Sequence, residues 1–493
     1  MLKYIGFFWK KIVMNLKYIG FNFDNSYLNL PETIYSKIKP QPVSNPSMVL
    51  FNEELSNELN LDFSKISSEF RSKIFSGNLI PNNTEPFSQA YAGHQFGHFT
   101  ILGDGRASII GEHLNQKNRR YDIQLKGSGR TPFSRNGDGR AALGPMLREY
   151  LISESLYFLG IPTTRSLAVV KTGESVQREN IYPGAILSRV ASSHIRVGTF
   201  QFLAIKNNLN DLVSLFNYTI KRHYPDIKKS KDSAIELLHS FMLRQIKLVT
   251  EWMRVGFVHG VMNTDNMTLS GESIDFGPCA FMNTYKPDTF FSSIDYNGRY
   301  SYKNQPVITQ WNIARFAESI IPLINNDKET AIKLALEVIN LFDKYFQEQW
   351  LEMMRSKLGL VKKHKDDKKL ILSLLAIMEN EEMDYTNTFR LLAQKKLYST
   401  SLDFNNWYNS WQKRIRYFDC FESSRKVMIQ KNPSVIPRNN LVEKVLYDAN
   451  FENYKSIKNF LSILKKPYKN FTKETIYIKD PKIDPNYKTF CGT

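Results

Sequence analysis

The sequence predicts an α+β protein in which a small lobe of strands around one helix precedes a larger helical lobe. Two patterns support this prediction. Short β-rich runs separated by turns occupy residues 99–197, whereas apolar residues three and four positions apart dominate from residue 198 onward. With 493 residues and 42% hydrophobic content, the chain is long enough for two to four packed units.

The sequence ahead of the small lobe, from residue 22 to residue 100, predicts a mixture of loops and short helices. Its proline-containing run from Lys39 to Ser47 predicts extended chain that wraps another unit. In the small lobe, SIIGEHL and YDIQLK predict an antiparallel hairpin, and GPMLREYLISESLYFLG predicts a helix that stops at Gly160. SLAVVKTGE and GAILSRV predict two further strands.

The helical lobe begins with long amphipathic helices, one of which ends at Gly256. A charged run, VKKHKDDKK, precedes a last helical region. We therefore expect an extension at 1–15, a wrapping segment at 16–98, the small lobe at 99–197, the helical lobe at 198–360, and a C-terminal helical extension and tail at 361–493. A small mixed lobe followed by a helical lobe is the arrangement of a protein-kinase-like two-lobe fold.

Charge and cysteine content restrict the partners and the compartment. The net charge of +18 favours acidic partners such as nucleotides, nucleic acid or membrane surfaces, but a basic solvated face explains the same excess. Cys279, Cys420 and Cys491 are too few and too far apart for a disulfide framework or a zinc site, which fits a reducing compartment. No uncharged apolar run reaches about 18 residues, so we expect no transmembrane helix.

The first residues leave two interpretations of the location open. MLKYIGFFWKKIVMNLKYIGF contains four lysines, no acid and a duplicated LKYIGF. It fits a targeting or membrane-surface segment, and it equally fits a non-functional extension ahead of a translation start at Met14. We expect a cytoplasmic protein, with a mitochondrial location as the alternative if the extension is a targeting segment.

The stretch HGVMNTDNMTLSGESIDFG, from His259 to Gly277, carries the residues best suited to metal chemistry. Asp265 and Asn266 precede a second carboxylate, Asp275, which belongs to a DFG triplet. Two short strands around a tight turn would bring Asn266 and Asp275 together at one end of a hairpin. Hard oxygen ligands of this kind suit magnesium or manganese. The alternative is a buried turn with an Asx cap.

The DFG triplet also matches the magnesium-binding motif of protein kinases. In a kinase the catalytic Asp lies five residues before the metal-binding Asn, and here that position is Val261. Asp265 is the nearest carboxylate that could accept a hydroxyl proton, which leaves Asn266 and Asp275 to hold the metal.

Two glycine-containing runs of the small lobe suggest phosphate binding. LGDGRA places Gly103 and Gly105 before Arg106, although Asp-Gly is commonest as a plain turn. QLKGSGRTPFSRNGDGRAA places Lys126 at a strand end, followed by four glycines and three arginines. Exposed amides and cations suit a polyphosphate, with a basic solvated loop as the alternative.

Three further charged residues extend the phosphate-binding hypothesis. Glu149 lies on the next helix, 23 residues after Lys126, and in kinases a helix glutamate holds the strand lysine. Arg189 and Arg196 lie where a strand leads into a helix. There they could grip terminal phosphates or serve as surface ion-pair partners.

With these motifs in view, the chain closely resembles the selenoprotein O family of protein adenylyltransferases, kinase-fold proteins once regarded as pseudokinases. The resemblance runs from about Leu16 to the C terminus and rests on FDNSYLNLPE, QAYAGHQFGHFTILGDGRA, the Lys126 and DFG stretches and DYTNTFR. It implies transfer of AMP from ATP to Ser, Thr or Tyr hydroxyls of proteins, the enzyme itself included, with release of pyrophosphate. ATP would bind in an orientation reversed relative to that in kinases.

The resemblance also implies a role for each candidate residue. Asp265 matches the proton acceptor, Asn266 and Asp275 match the ligands of Mg²⁺ or Mn²⁺, and Glu149 matches the partner of Lys126. The positions that match ATP-binding residues are Gly103, Gly105, Arg106, Lys126, Asp138, Gly139, Arg189, Arg196 and Asp275.

Family members often carry a cysteine or selenocysteine near the C terminus that is linked to redox control. Cys491 occupies that place here. We hypothesise that it pairs with Cys279, and the alternative is an inert tail thiol.

Two other functions compete with adenylyl transfer. A non-catalytic ATP-binding pseudokinase scaffold is motivated by Val261, because the kinase base is missing. A nucleic-acid-binding protein rests on the net charge alone, and nothing in the sequence resembles a nucleic-acid module, so we expect no nucleic-acid partner.

Overall fold

The computed structural model describes residues 19–418, 420–470, 477 and 487–490. Strands and helices are both abundant, as the sequence predicts for a mixed fold. The strands are β1 (Tyr35–Lys37), β2 (Ser47–Phe51), β3 (Phe87–Gln95), β4 (His98–Gly103), β5 (Ala107–Leu114), β6 (Arg120–Lys126), β7 (Ala141–Ala142), β8 (Arg165–Gln177), β9 (Ile181–Ala191), β10 (Phe257–Val258) and β11 (Ala280–Phe281).

The strands form an antiparallel sheet and a separate short ladder. The order across the sheet is β1-β3-β5-β6-β9-β8-β2, with β4 paired to β3 and β7 paired to β9. Strands β10 and β11 pair only with each other among the described residues. The central strands are buried on both faces and supply much of the apolar core.

The elements predicted between residues 99 and 197 are confirmed. Strands β5 and β6 form the expected antiparallel hairpin, and β8 pairs with β9. The first long helix spans Leu143–Phe158 and ends where Gly160 adopts φ +78°. Glycine tolerates this left-handed conformation, and Pro162 follows, so the helix cannot continue.

Among the strands that the sequence did not predict, four lie at the start of the described chain. Strands β1 to β4 all begin before Phe99, in a stretch expected to hold only loops and short helices. Strand β3 reads FSQAYAGHQ, and its alanines, glycine and glutamines have low strand propensity. Its conformation comes from pairing with β1 on one edge and β4 on the other.

Helices fill the rest of the described chain. They are α1 (Glu53–Glu58), α2 (Ser68–Phe75), α3 (Leu143–Phe158), α4 (Val197–Lys206), α5 (Leu209–His223), α6 (Ser233–Arg254), α7 (Gln305–Ile324), α8 (Lys328–Ile339), α9 (Phe342–Leu358), α10 (Asp367–Asn380), α11 (Tyr385–Leu392), α12 (Leu402–Phe418), α13 (Phe421–Lys431), α14 (Asn439–Asn450) and α15 (Lys455–Leu464). None of the helices in the described ranges is both long and apolar enough to cross a membrane.

Helix α6 positions the segment that the sequence singles out. It buries an apolar stripe that includes Leu238, Phe241 and Val249, and it ends just before Gly256, which adopts φ +73°. The chain then enters β10 and reaches the stretch His259–Gly277. Because α6 is packed along its length, the start of that stretch is fixed in space.

Candidate functional site

A cleft of about 850 Å³ lies between the sheet and the stretch that follows β10. This volume is within the range of small-molecule sites. Seven cationic side chains line the cleft: Arg106, Lys126, Arg135, Arg140, Arg178, Arg189 and Arg196. Five carboxylates also line it: Asp104, Asp138, Glu149, Asp265 and Asp275.

The structure brings most of the sequence-predicted site residues to this cleft. Those that line it are Gly103, Gly105, Arg106, Lys126, Asp138, Gly139, Glu149, Arg189, Arg196, Asp265, Asn266 and Asp275. Cys279 is buried outside the lining, and Cys491 lies outside the described residues. The Cys279–Cys491 pairing therefore stays a hypothesis.

An ion cluster joins the sheet, helix α3 and the DFG triplet. The Lys126 ammonium lies 2.7 Å from Glu149 Oε2 and 2.7 Å from Asp275 Oδ1. Arg189 donates to Glu149 Oε1 and, at 2.6 Å, to Asp275 Oδ1. In the strand register Arg189 faces Gln124, two residues before Lys126, so both cations project from one face of the sheet.

The cluster holds Asp275 as a carboxylate. Burial alone would raise its pKa, but Arg189, Lys126 and Arg196 together hold the pKa of the Asp275 carboxyl well below its usual range. Oδ1 accepts from both Lys126 and Arg189, and Arg196 lies 3.8 Å from Oδ2. Asp275 has φ +64°, a left-handed conformation that turns its side chain toward the cluster rather than along a strand.

Arg196 connects this cluster to Asp265. It is the residue before helix α4, and its guanidinium is only 2% exposed. It donates to the backbone oxygen of Asp265 at 3.0 Å, and its Cζ lies 4.3 Å from the centre of the Tyr91 ring. The Tyr91 face and the Asp265 carbonyl hold the cation in place without neutralising it.

Asp265 is buried beside strand β3 and lacks a full set of partners. It belongs to a short 3-10 helix, Thr264–Asn266, and its Oδ1 has no hydrogen-bond partner within the described part of the chain. Burial raises the pKa of the Asp265 carboxyl to about 6, against the opposing effect of Arg196. A carboxyl with such a pKa ionises just below neutral pH and is a capable proton acceptor.

Hydrogen bonds attach the Asp265 segment to strand β3 and to helix α7. The His94 backbone N–H donates to Thr264 Oγ1 at 2.8 Å, and the Phe96 N–H donates to Asn263 Oδ1 at 3.1 Å. The Asn312 side chain of α7 donates to the carbonyl of Met262 at 2.9 Å. The segment is therefore held by the sheet and by a helix.

The hairpin predicted between Asn266 and Asp275 is wrong. The turn exists, with Gly271 at φ +77°, but its two legs pair with other segments. Val197 N donates to Met267 O at 2.9 Å, and Thr164 N donates to Ser273 O at 2.9 Å. Each leg thus pairs with a segment outside the turn, and the Thr268 hydroxyl bridges the two legs through the Glu272 backbone. Asn266 and Asp275 both line the cleft.

The oxygen atoms of Asn266 and Asp275 fit a divalent cation. Asn266 uses Nδ2 to donate to the Val261 carbonyl at 3.0 Å, which leaves its Oδ1 as an open acceptor. The recorded hydrogen bonds of Asp275 fall on its Oδ1. The described residues contain no group of three or more His, Cys, Asp or Glu side chains that could hold a metal ion. The two oxygen atoms of Asn266 and Asp275 are hard ligands, the type that magnesium and manganese prefer.

Val261 stands at the position of the kinase base and lines the cleft. Its side chain is buried and apolar, and it has no group that could accept a proton. Of the cleft carboxylates, Asp265 combines a near-neutral pKa with an unpartnered oxygen.

The glycine-containing runs pack against each other at the other end of the cleft. A Cβ on Gly103 would lie 2.4 Å from the Phe133 ring, and one on Gly105 would lie 2.7 Å from the Phe133 carbonyl. Gly139 is equally close to the Gly129 backbone, with φ +69°. Only glycine permits this close approach.

Arg106 and Asp138 differ in how their polar atoms are used. The Nη1 of Arg106 is buried and has no hydrogen-bond partner among the residues described. An unpaired buried donor of this kind is costly unless a ligand completes it. Asp138 is fully engaged, because Arg178 binds both its oxygens, at 2.8 and 3.1 Å. Hydrogen bonding to Arg178 lowers the pKa of the Asp138 carboxyl.

Several residues that line the cleft were given no role from the sequence. Among them are Tyr91, Asp104, Gln124 and Arg178. Arg178 follows β8 in an ordinary polar turn, and only the tertiary contact with Asp138 reveals it. Gln124 could have been found, because it lies two residues before Lys126 on the same strand and so shares its face.

Arg148 fastens the segment that follows the DFG triplet. Its guanidinium donates to the carbonyls of Gly277 at 3.0 Å and Cys279 at 2.7 Å, and it lies 3.0 Å from Glu443 of helix α14. Burial raises the pKa of the Cys279 thiol to about 12. At neutral pH this thiol is protonated, and it donates to the Phe276 carbonyl.

A family model described as protein adenylyltransferase SelO matches residues 17–465 of the chain. The chain belongs to this family. Among its relatives, the protein nucleotidyltransferase YdiU of Pelagibacter ubique is 54% identical over 481 residues, which cover 96% of this chain and all of the relative. The SelO-family chain is also 52% identical to the proteins of the same name from Nitrosococcus oceani and Anoxybacillus flavithermus, over 96% of its length and 98% and 99% of theirs.

Proposed function

We propose that the chain is a protein adenylyltransferase that transfers AMP from ATP to a Ser, Thr or Tyr hydroxyl of a protein and releases pyrophosphate. The observation that carries the proposal is the proximity of two features in one cleft. A cluster of buried cations is held by Glu149 and Asp275, and next to it Asp265 has an unpartnered oxygen and a pKa of about 6. The names of the family and of its relatives agree with this chemistry.

The cations of the cleft would bind the phosphates of ATP. Lys126, Arg189 and Arg196 form the buried end, and Arg106 offers a donor that has no protein partner. Planar guanidinium groups bind phosphate oxygens in pairs, and fixed cations in a desolvated site stabilise developing charge strongly. If the terminal phosphates occupy this end, ATP is reversed relative to its orientation in kinases, and the α-phosphate faces the hydroxyl.

Asp265 would take the proton in the transfer step. The hydroxyl oxygen forms a bond to the α-phosphorus, the bond from that phosphorus to the leaving pyrophosphate breaks, and the hydroxyl proton passes to Asp265. General-base catalysis contributes about 10²–10⁴-fold to such reactions. Arg196 holds the Asp265 backbone and so keeps the carboxylate in position.

Asn266 and Asp275 would hold a divalent cation, either Mg²⁺ or Mn²⁺. When bound, the ion would neutralise phosphate charge. The acceptor Oδ1 of Asn266 and the Oδ2 of Asp275 are the atoms that support this assignment.

We also propose a protein-kinase-like two-lobe arrangement with the boundaries predicted from the sequence. Its support is the ion pair between Lys126 on a strand and Glu149 on a helix, together with the DFG carboxylate of Asp275. If these boundaries separate the units, limited proteolysis should cut first near residue 361, where Val361 is 51% exposed, because the boundary at 198 lies in the buried start of helix α4 and is protected. Cleavage confined to other loops would count against them.

Labelled ATP distinguishes the proposed reaction from its competitors. Protein incubated with α-labelled ATP and Mg²⁺ or Mn²⁺ should acquire label, and γ-labelled ATP should leave it unlabelled. Intact-mass analysis should show the addition of AMP, to the enzyme itself or to added protein. Label from γ-labelled ATP would indicate a kinase, and ATP-dependent stabilisation without either label would indicate a non-catalytic scaffold, the function that Val261 favours.

The redox pairing of Cys279 with Cys491 and the cytoplasmic location also remain proposals. The described end of the chain supports the pairing, because Thr489 Oγ1 donates to the Pro278 carbonyl at 2.6 Å. Mass spectrometry under oxidising conditions should find the bridge, and its absence would remove the proposal. Fluorescent fusions that begin at Met1 and at Met14 should share a cytoplasmic location, whereas mitochondrial signal from the longer one alone would identify a targeting segment.

A further inference from the structure

Strand β4 presents an unpaired edge at the mouth of the cleft. In the described part of the protein β4 pairs with β3 alone, and residues 98–102 make no other backbone-to-backbone hydrogen bond. Leu102 and Gly103, at the end of β4, line the cleft. An edge of this kind carries N–H and C=O groups that can template another strand.

The two faces of the β3–β4 hairpin differ in character. Tyr91, Gln95 and Leu102 belong to the face that lines the cleft. Phe99 and Ile101 lie on the opposite face, where they are 41% and 55% exposed. Exposed strand edges are usually protected by lysine, proline or inward charge, and β4 contains none of these. An apolar, unprotected edge beside a cleft is typical of a binding surface.

The apolar face that carries Phe99 and Ile101 ends near Arg299, whose guanidinium has an unpaired donor within the part of the chain described. The His94 ring lies 5.1 Å from the Phe99 ring and 5.2 Å from the Trp311 ring. The Cζ of Arg299 lies 5.0 Å from the centre of the Trp311 ring. Its Nε is buried and has no hydrogen-bond partner in the described ranges. An acidic side chain arriving at this corner would complete it.

The hairpin is attached to the segment that bears Asp265. The two hydrogen bonds from His94 and Phe96 join it to Thr264 and Asn263, and Gly93 packs directly on the Asp265 carboxylate. A chain docked on β4 would therefore lie at a fixed distance from the proton acceptor.

We propose that the edge of β4 binds an extended segment of the protein substrate as an added strand, next to the hydroxyl that receives AMP. This inference rests on the proposed function. Backbone hydrogen bonds to β4 provide affinity, alternate side chains pack on Phe99 and Ile101, and an acidic side chain reaches Arg299. The substrate class is a terminal or loop segment with apolar residues at every second position, rather than a helix.

Backbone methylation tests strand addition on the wild-type protein. The probe is a fluorescent peptide of roughly ten residues that alternates valine and glutamine, with a central serine and one aspartate. Two further versions carry N-methyl groups on alternate backbone amides: one on the even-numbered residues and the other on the odd-numbered residues. An added strand donates hydrogen bonds to β4 from only one of these two sets of N–H groups. We expect one version to bind like the parent and the other to bind at least about tenfold more weakly, by fluorescence anisotropy. Equal binding of all three peptides, or no binding of the parent, would overturn the proposal.

A pair of double variants tests the side chains. Phe99→Ser with Ile101→Ser should weaken peptide binding by about tenfold. The matched control is Ile332→Ser with Leu336→Ser on helix α8, where the side chains are 40% and 49% exposed. The control should bind the peptide normally, and both double variants should keep ATP-dependent thermal stabilisation. Equal peptide binding by the two double variants would contradict the assignment of Phe99 and Ile101.

Two further outcomes have distinct meanings. The anisotropy assay uses no ATP, so selective binding by a protein that transfers no α-label would refute adenylyl transfer and leave the docking edge intact. If sedimentation shows that the wild-type protein is a dimer and the Phe99→Ser, Ile101→Ser variant a monomer, the edge binds a second copy of this chain and the substrate proposal is overturned.

Discussion

Gly93 and Asp265 are packed so closely that a Cβ on Gly93 would lie 2.1 Å from Asp265 Oδ1. Contacts this short do not occur, so Gly93→Ala must displace the carboxylate or the strand. Small displacements of catalytic groups are costly, and we expect AMP transfer to fall by about 10²-fold. ATP-dependent thermal stabilisation should persist, because Gly93 does not line the cleft.

The control for this variant is Gly144→Ala at the start of helix α3. A Cβ on Gly144 would meet no atom within 4 Å. Its transfer rate should equal that of the wild type in the same α-label assay. Equal rates for both alanine variants would show that the position of Asp265 is not limiting.

The pKa of Asp265 predicts the pH dependence of transfer. As a proton acceptor Asp265 must be ionised, so kcat/KM should rise with pH through a midpoint near 6 and then level off. Asp265→Asn should remove the activity at every pH. If kcat/KM instead rises with a midpoint near pH 4, the ordinary pKa of an Asp side chain being about 4, the assignment of Asp265 is refuted.

Phosphates of ATP titrate in a similar range, so unfolding measured without ATP gives an independent test. The pKa of Asp265 in the folded protein is above its unfolded value, so this group stabilises the fold at low pH and loses that contribution as pH rises through about 6. Asp265→Asn should therefore have a higher Tm than the wild type above pH 7, and the difference should shrink toward pH 4. A lower Tm for Asp265→Asn at pH 8 would contradict this expectation.

Glu149 and Glu154 allow function to be separated from stability on one helix. Both are buried on α3 and both bind an arginine. Glu149 also binds Lys126 and lines the cleft. Glu154 binds Arg165 at a distance of 2.8 Å and does not line the cleft. Each change to Gln should lower the Tm, because a buried cation loses its partner at a cost of about 3–5 kcal/mol. Only Glu149→Gln should also reduce transfer, by roughly 10²-fold, in rates measured well below both Tm values. Similar residual activity in the two variants would remove the functional role of Glu149.

For Arg106, unlike the two glutamates, removal of the charge should not lower the Tm of the ATP-free protein. Its Nη1 is buried without a partner, so Arg106→Met should leave the Tm of the ATP-free protein unchanged or slightly higher. The same variant should lose most of the Tm increase caused by ATP. Arg254→Met is the control, because Arg254 is buried with four partners, among them Glu251 and the Leu159 carbonyl. It should lower the Tm strongly and keep the ATP effect, and the reverse pattern would refute the ligand role of Arg106.

The sequence predicted those parts of the fold in which local pattern and tertiary structure agree. The β5–β6 hairpin has β-rich strands and a polar turn, and α3 ends at a glycine followed by a proline. Lys126, Glu149 and Asp275 could be recognised because their motifs match a known family. Their meeting in one cluster depends on packing between segments 149 residues apart.

Strand β3 could not be predicted because its small residues allow neighbouring segments to pack closely against it, and such residues have low strand propensity. Ala92 and Gly93 are small where the strand touches α4 and Asp265, since a Cβ on Gly198 would lie 1.9 Å from the Ala92 carbonyl. Residues that let two backbones approach are poor strand formers. The Asn266–Asp275 hairpin failed for a related reason, because local turn chemistry does not reveal that each leg has a partner elsewhere.

The contact of Arg148 with Glu443 makes the far end of the chain part of the cleft's support. Helix α14 contributes Glu443 to Arg148, and Asn439 donates to the Phe281 carbonyl at 3.1 Å. A chain truncated before this helix would leave a buried guanidinium without its carboxylate, directly behind Gly277. The segment beyond residue 360 thus belongs to the support of the cleft, and we expect a chain that stops there to have a lower Tm than the full-length protein.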